Sequence, residues 1–167
     1  MSDFVDEPSQ LSYHAIREYA EKVGHHYEVY DRAGEADLRM LLRKLGGRVK
    51  YGDTQRESLH VNAPGDFVIF LPHVTSSRRD RFTIAHELGH YFLHYLHRRD
   101  ESVASFGRGM RNQVETQANV FASSLLMPQE QFAAAYRRND GDRYAVARIF
   151  DVSPAAVDVR AEVLGLK

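Results

Sequence analysis

Two histidines and a glutamate stand in the order His86-Glu87-Leu88-Gly89-His90. If the segment is helical, that spacing has a chemical meaning. Residues four apart share a helix face, with Cβ atoms about 5–6 Å apart, and two imidazoles so placed reach one Zn2+ at about 2.0–2.1 Å. Glu87 follows His86 and is rotated from it by about 100°. It therefore stands out of the ligand plane, beside a water on the metal, where it can act as general base. The chemistry such a group performs is metal-assisted hydrolysis. Taken singly, each histidine has a plainer reading as a partly buried imidazole satisfied by hydrogen bonds.

A catalytic zinc commonly takes three protein ligands and a water. Four histidines fall within twelve residues, adding His94 and His97 to the pair. The arrangement that places glycine three and histidine six residues after the motif is absent, since those positions are Leu93 and Leu96. His94 continues the His86–His90 face, but one further turn along, roughly 6 Å in axial rise. That position suits a residue that supports a ligand, or a core residue, better than a ligand. Glu115 is the better third ligand. It opens Glu115-Thr116-Gln117-Ala118-Asn119 on a separate helix, which can bring a carboxylate to the open side of the metal. Asn119, one turn on, can hydrogen-bond a ligand imidazole and hold its tautomer. The alternative for Glu115 is a solvated first-turn carboxylate favoured by the helix dipole. A set of imidazoles and a carboxylate accepts Zn2+, with Mn2+ or Co2+ as substitutes.

Composition narrows the chemistry further. With no cysteine, thiolate nucleophiles, disulfides and thiolate metal sites are excluded. The 167 residues carry 22 basic and 23 acidic side chains, a net charge of −1 that gives no global signal for nucleic acid. No apolar run approaches a membrane span, and the acidic opening MSDFVDEPSQ has no signal-peptide core. A cytoplasmic protein without a membrane partner is expected.

The elements that must position these residues follow from periodicity and caps. Residues 1–10 read as a tail, and a helix is expected from Leu11 to about Tyr27 on the stripe Leu11, Ile16, Tyr19, Ala20 and Val23. A second helix runs from the N-cap Asp37 to Leu45 and stops at Gly46-Gly47. Three short strands follow, at Arg48–Tyr51, Ser58–Val61 and Phe67–Leu71, with Asn62-Ala63-Pro64-Gly65 turning between the last two. The third strand reads either as an edge open to an extended peptide or as a buried core strand. Helices are then expected at 79–97, 114–127, 129–138, 142–150 and 154–164, with 98–112 a polar loop. The fold class is α+β, a mostly helical domain with a small sheet of about three strands before the motif helix. We divide the chain into a tail and helix over 1–36 and a catalytic domain over 37–167, packed as one unit.

At this level of detail the chain resembles the ImmA/IrrE metallopeptidases. The resemblance rests on RFTIAHELGHYFLH at 81–94 and ETQANVFASSLLMP at 115–128, supported by VNAPGDFVIFLP at 61–72 and the C-terminal VARIFDVSPAAVDVRAEVLGL. It implies a zincin-like fold, zinc on His86, His90 and Glu115, and Glu87 as catalytic acid–base. It also implies a substrate class, helix-turn-helix repressors or antitoxins whose cleavage relieves repression.

Two other classes of function compete. Tyr144–Phe150, a turn at Asp151–Ser153 and Pro154–Leu164 could form a DNA-binding helix-turn-helix, although VDVRAEVLGLK has few basic or amide side chains and better fits a hairpin that closes the helical bundle. The clusters Arg78-Arg79-Arg81 and Arg98-Arg99 read as solvated faces or as contacts to an acidic partner. A non-catalytic regulatory partner with a closed, structural metal site is the third possibility. For an oxyanion donor the sequence offers Tyr91, Tyr95, Arg111 and Tyr136 without choosing among them.

Overall fold

Most of the helices begin where a short polar side chain takes up a backbone N–H left unpaired by the first turn. In the computed structural model, which describes residues 3–4, 7–53, 57–96, 104–107 and 112–167, Ser12 caps α1 (Tyr13–His26) by accepting from Ala15 N. Asp37 caps α2 (Leu38–Leu45) through Met40 N. Gly46 closes α2 in the left-handed conformation, φ 83°. A Cβ there would meet the carbonyl oxygen of Gly65, so glycine is required both for the turn and for the approach of the strand connection behind it.

The sheet has the strand order β1-β5-β3-β4-β2. Its centre is the expected trio, β2 (Gly47–Gly52), β3 (Ser58–Ala63) and β4 (Asp66–Pro72). β3 and β4 form an antiparallel hairpin, and β2 lies parallel to β4 on the other side. β4 is therefore paired along both edges, and the open-edge reading of this strand is ruled out. Leu59 and Val61 of β3, with Phe67, Ile69 and Leu71 of β4, alternate onto one face and are fully buried. Two further strands extend the sheet beyond β3: β1 (Asp3–Phe4) and β5 (Ala104–Gly107). β5 runs antiparallel to β3 and β1 parallel to β5. They fall on stretches that the sequence reads as tail and loop, because two and four residues without strong β character carry almost no periodic signal.

Over the sheet lies α3 (Ser77–His90), capped by Ser76. It continues as a π-helical segment, Tyr91–Leu96, where a uniform helix was expected. From Thr83 to His90 every residue of α3 is buried. Tyr91 stacks on Phe67 with ring centroids 4.2 Å apart and accepts a hydrogen bond from Gly65 N at 3.0 Å, which ties the helix to the β3–β4 turn. The guanidinium of Arg81 donates to the carbonyls of Ala36, Phe150 and Asp151. Arg78 pairs with Asp151, and Arg79 with the buried Glu57. The arginine cluster at 78–81 is thus bound within the molecule, while Arg98 and Arg99 lie outside the described residues.

α4 (Gln113–Leu126) packs against both α1 and α3. Tyr19 of α1 meets Phe92 and Phe121 edge-on or tilted at 5.9 and 6.2 Å. α5 (Gln129–Arg138), α6 (Arg143–Phe150) and α7 (Pro154–Val163) complete the bundle. α6 and α7 pack as a hairpin whose inner face carries Val146, Ala147, Phe150, Val157 and Ala161. Arg160 of α7 points inward and donates to Met127 O at 3.0 Å, so this charge closes the bundle. Among the described residues no helix is long and apolar enough to cross a membrane.

Candidate metal centre

The site is built where α3 and α4 cross, and a glycine sets the distance between them. A Cβ on Gly89 would lie 3.0 Å from Ala118 Cα, 3.1 Å from Ala118 O and 3.1 Å from Phe121 Cβ. The helices approach closely because position 89 has no side chain. On α3 this leaves the flanking His86 and His90 facing the first turn of α4. There Asn112 caps the helix by accepting from Glu115 N at 3.0 Å, which fixes the backbone that carries the Glu115 carboxylate.

The three side chains converge. Nε2 of His90 is 2.9 Å from Oε1 of Glu115, and Nε2 of His86 is 3.0 Å from Oε2. One potential ligand atom from each lies within 4.8 Å of the others. His86 and His90 are fully buried, and the Glu115 side chain is 13% exposed, so the group opens to solvent on the carboxylate side. The alternative of a solvated first-turn carboxylate does not describe Glu115. Glu87 is fully buried on the same turn of α3 as the two imidazoles.

The outer nitrogens of both rings are occupied. Nδ1 of His86 lies 2.7 Å from Oδ1 of Asn119, an oxygen that accepts a hydrogen bond from it. Nδ1 of His90 lies 2.9 Å from Nδ1 of His94. His94 thus stands behind His90, and its Nε2 reaches Oε1 of Gln117 at 2.9 Å. The π-helical segment begins immediately after His90 and carries His94, a position where such widened turns often serve function. His97, weighed above as a ligand, and Arg111, weighed as an oxyanion donor, lie outside the described residues. Of the other oxyanion candidates, Tyr91 is packed against the sheet turn, Tyr95 is buried and stacked on Tyr91, and Tyr136 stacks on Phe132 of α5.

This arrangement fits a cation. In the neutral tautomers that carry the proton on Nδ1, both Nε2 lone pairs face a carboxylate. Nε2 of His86 is 3.0 Å from Glu115, yet it is not aligned for a hydrogen bond and has no other hydrogen-bond partner. Two lone pairs and an anion in a buried space repel one another, and a positive ion between them removes that cost. Burial holds the His90 imidazole down to about 4, against the pull of Glu115. Burial would raise the Glu115 carboxyl, but when the rings carry a proton on Nε2 their hydrogen bonds and charge hold it down to about 2, so that without an ion a proton takes the place of one. A neutral His90 ring and an ionised Glu115 carboxylate are the protonation states that metal ligands need. Two imidazole nitrogens and a carboxylate match the donors of open, hydrolytic sites.

Sequence reasoning missed Gln117. Its signal is faint: an amide among Val114, Ala118, Phe121 and Ala122 on the buried side of α4 must find partners, but nothing in the spacing says which.

Comparison with known proteins supplies a family and a relative. The family model described as IrrE N-terminal-like domain, Peptidase_M78, matches residues 35–162. The protein named metallopeptidase ImmA from Bacillus subtilis (strain 168) is 30% identical over 98 residues, a stretch covering 58% of this chain and 57% of that protein.

Proposed function

This chain belongs to the IrrE N-terminal-like family of peptidases, Peptidase_M78, and from that premise we propose that it is a cytoplasmic zinc-dependent endopeptidase acting on a helix-turn-helix repressor or antitoxin. The observation that carries the reading is the meeting of His86, His90 and Glu115 from two separate helices. In it, His86 and His90 would hold the ion through Nε2 and Glu115 would hold it through its carboxylate. Zinc bound there supplies Lewis acidity, lowering the pKa of a water and stabilising charge on the scissile carbonyl oxygen.

The protein's own groups do the rest. Asn119 keeps the proton of His86 on Nδ1, so that Nε2 offers its lone pair. Glu87 accepts one proton at its carboxylate as the water oxygen forms its bond to the peptide carbon. The same proton then passes to the leaving nitrogen as the C–N bond breaks, which leaves Glu87 ionised for the next cycle. The open carboxylate side of the group is where a substrate strand would enter. Mn2+ or Co2+ could replace zinc with these donors. The substrate class rests on the resemblance of the motif stretches, and the match to a metallopeptidase supports the reaction type.

Incubating the protein with a repressor or antitoxin encoded beside its gene tests the reading. The zinc-loaded protein should cleave, a chelator should stop it, and Glu87→Gln should bind zinc yet lose about 10²–10⁴-fold in rate. Cleavage by Glu87→Gln at the wild-type rate would remove the assigned base. Binding without cleavage would favour the non-catalytic partner.

A further inference from the structure

A chain of hydrogen bonds leads from the N-terminal segment to the back of His90, and its direction can be read. Ser9 N donates to Oε1 of Gln117 at 2.9 Å, and Nε2 of Gln117 donates to Ser9 O at 2.9 Å. A backbone N–H is always a donor and a backbone carbonyl always an acceptor. The two bonds therefore fix which end of the Gln117 amide is oxygen, because the flipped amide would set donor against donor and acceptor against acceptor. Oε1 of Gln117 also faces Nε2 of His94 at 2.9 Å. An oxygen there can only accept, so Nε2 of His94 carries the proton. In a neutral ring that leaves Nδ1 of His94 as an acceptor. Nδ1 of His94 faces Nδ1 of His90 at 2.9 Å, so Nδ1 of His90 is the donor of that bond, and this is the proton that a ring ligating through Nε2 must carry. Gln117 and His94 are both buried, so water cannot readily substitute for a lost partner.

We propose that Gln117 is a positioning residue for the metal: held in one orientation by the main chain of Ser9, it acts through His94 to fix His90 in the tautomer whose Nε2 can ligate. The proposal rests on the metal-centre reading and deepens it. It also joins residues before α1 to the centre, since Ser9 precedes the first helix and Gln117 lies 108 positions later. On the other ligand, Asn119 does the same task directly. His90 is served through a relay of two side chains.

Two measurements test it. Long-range 15N–1H NMR of the metal-free protein near pH 7.5 reads each tautomer without any variant. The expected spectrum has His90 protonated at Nδ1 and His94 at Nε2. A His90 whose Nδ1 carries no proton would overturn the proposal, whether or not the protein binds zinc. Zinc affinity by competition with a chromophoric chelator is the second. Gln117→Met keeps the length and removes the acceptor, and it should bind zinc about 10- to 100-fold more weakly. Gln117→Glu keeps an oxygen toward His94 and should recover most of that loss. A Gln117→Met protein that folds and holds zinc as tightly as wild type would overturn the relay. Failure of the wild-type protein to bind zinc at all would instead sink the metallopeptidase reading, and the tautomer spectrum would still decide this one.

Discussion

Two helix pairs share this bundle and bury opposite kinds of surface. Between α6 and α7 the interior is apolar, made of Val146, Ala147, Phe150, Val157 and Ala161, with the buried Arg160 bound to a main-chain carbonyl. Along α3, its π-helical continuation and α4 a polar set is buried beside the apolar contacts: Thr83, His86, Glu87, His90, His94 and Gln117. The first interior is held by area and shape, terms that tolerate substitution by degrees. The second is held by partners, each of which must be present with its proton in the right place. Burying polar groups opposes folding, so a protein that gathers six of them along one seam has a chemical use for them. The difference predicts that damage to one pair reads out as lost metal and damage to the other as lost stability.

The largest effect should come from Glu115→Gln. With one ligand charge removed, zinc affinity should fall by well over the 10- to 100-fold that an outer partner costs. The metal-free protein should unfold at only a modestly lower denaturant midpoint, because the imidazoles favour the ionised Glu115 in the folded state while the amide keeps its shape. Chelator competition and urea unfolding on the same sample check both halves, and a large loss of metal-free stability would break the contrast.

Phe150→Ala is the converse. It empties a fully buried site on α6 and should cost about 3–5 kcal/mol, read as a lowered urea midpoint. Zinc affinity of the folded fraction should stay within a small factor of wild type. A matching loss of affinity would mean that the hairpin and the centre are one energetic unit.

Gly89→Ala sharpens the comparison because it strikes the contact between α3 and α4. The new methyl would press on the backbone of Ala118 at about 3.0 Å, and overpacking of this kind costs about 1–3 kcal/mol. Both readouts should move together, since spreading the helices also carries Glu115 away from the imidazoles. The smallest effect is expected from Ser153→Ala, which removes the hydrogen bond to Ala156 N at the start of α7. Its cost should be about 1 kcal/mol, with zinc affinity untouched.

How much of this could be read beforehand follows the range of each interaction. α2 was legible to the residue because its signals are adjacent to it: the Asp37 cap and the left-handed Gly46. α7 was legible for the same reason, with Ser153 and Pro154 at its start. The His86–His90 pair is a local feature of a helix, and so its shared face could be derived from spacing alone. Glu115 was reachable by argument, since a third ligand was needed and few candidates existed. The relay through His94 and Gln117 was not, because it joins positions 9, 94 and 117 through space and depends on amide orientation. The π-helical segment left no composition signal in YFLHYL. The pairing of β4 on both edges was hidden for a related reason: a buried strand and an apolar edge strand read alike until their neighbours are known.

The central claim is that His86, His90 and Glu115 hold one divalent ion. Zinc-edge X-ray absorption on the zinc-loaded protein, compared with Glu115→Gln, tests it most directly. The account predicts one zinc per chain, two imidazole nitrogens at about 2.0–2.1 Å and oxygen ligands in the remaining positions, with the wild-type spectrum lost in the variant. An unchanged spectrum in Glu115→Gln, or zinc bound without two imidazoles, would contradict it.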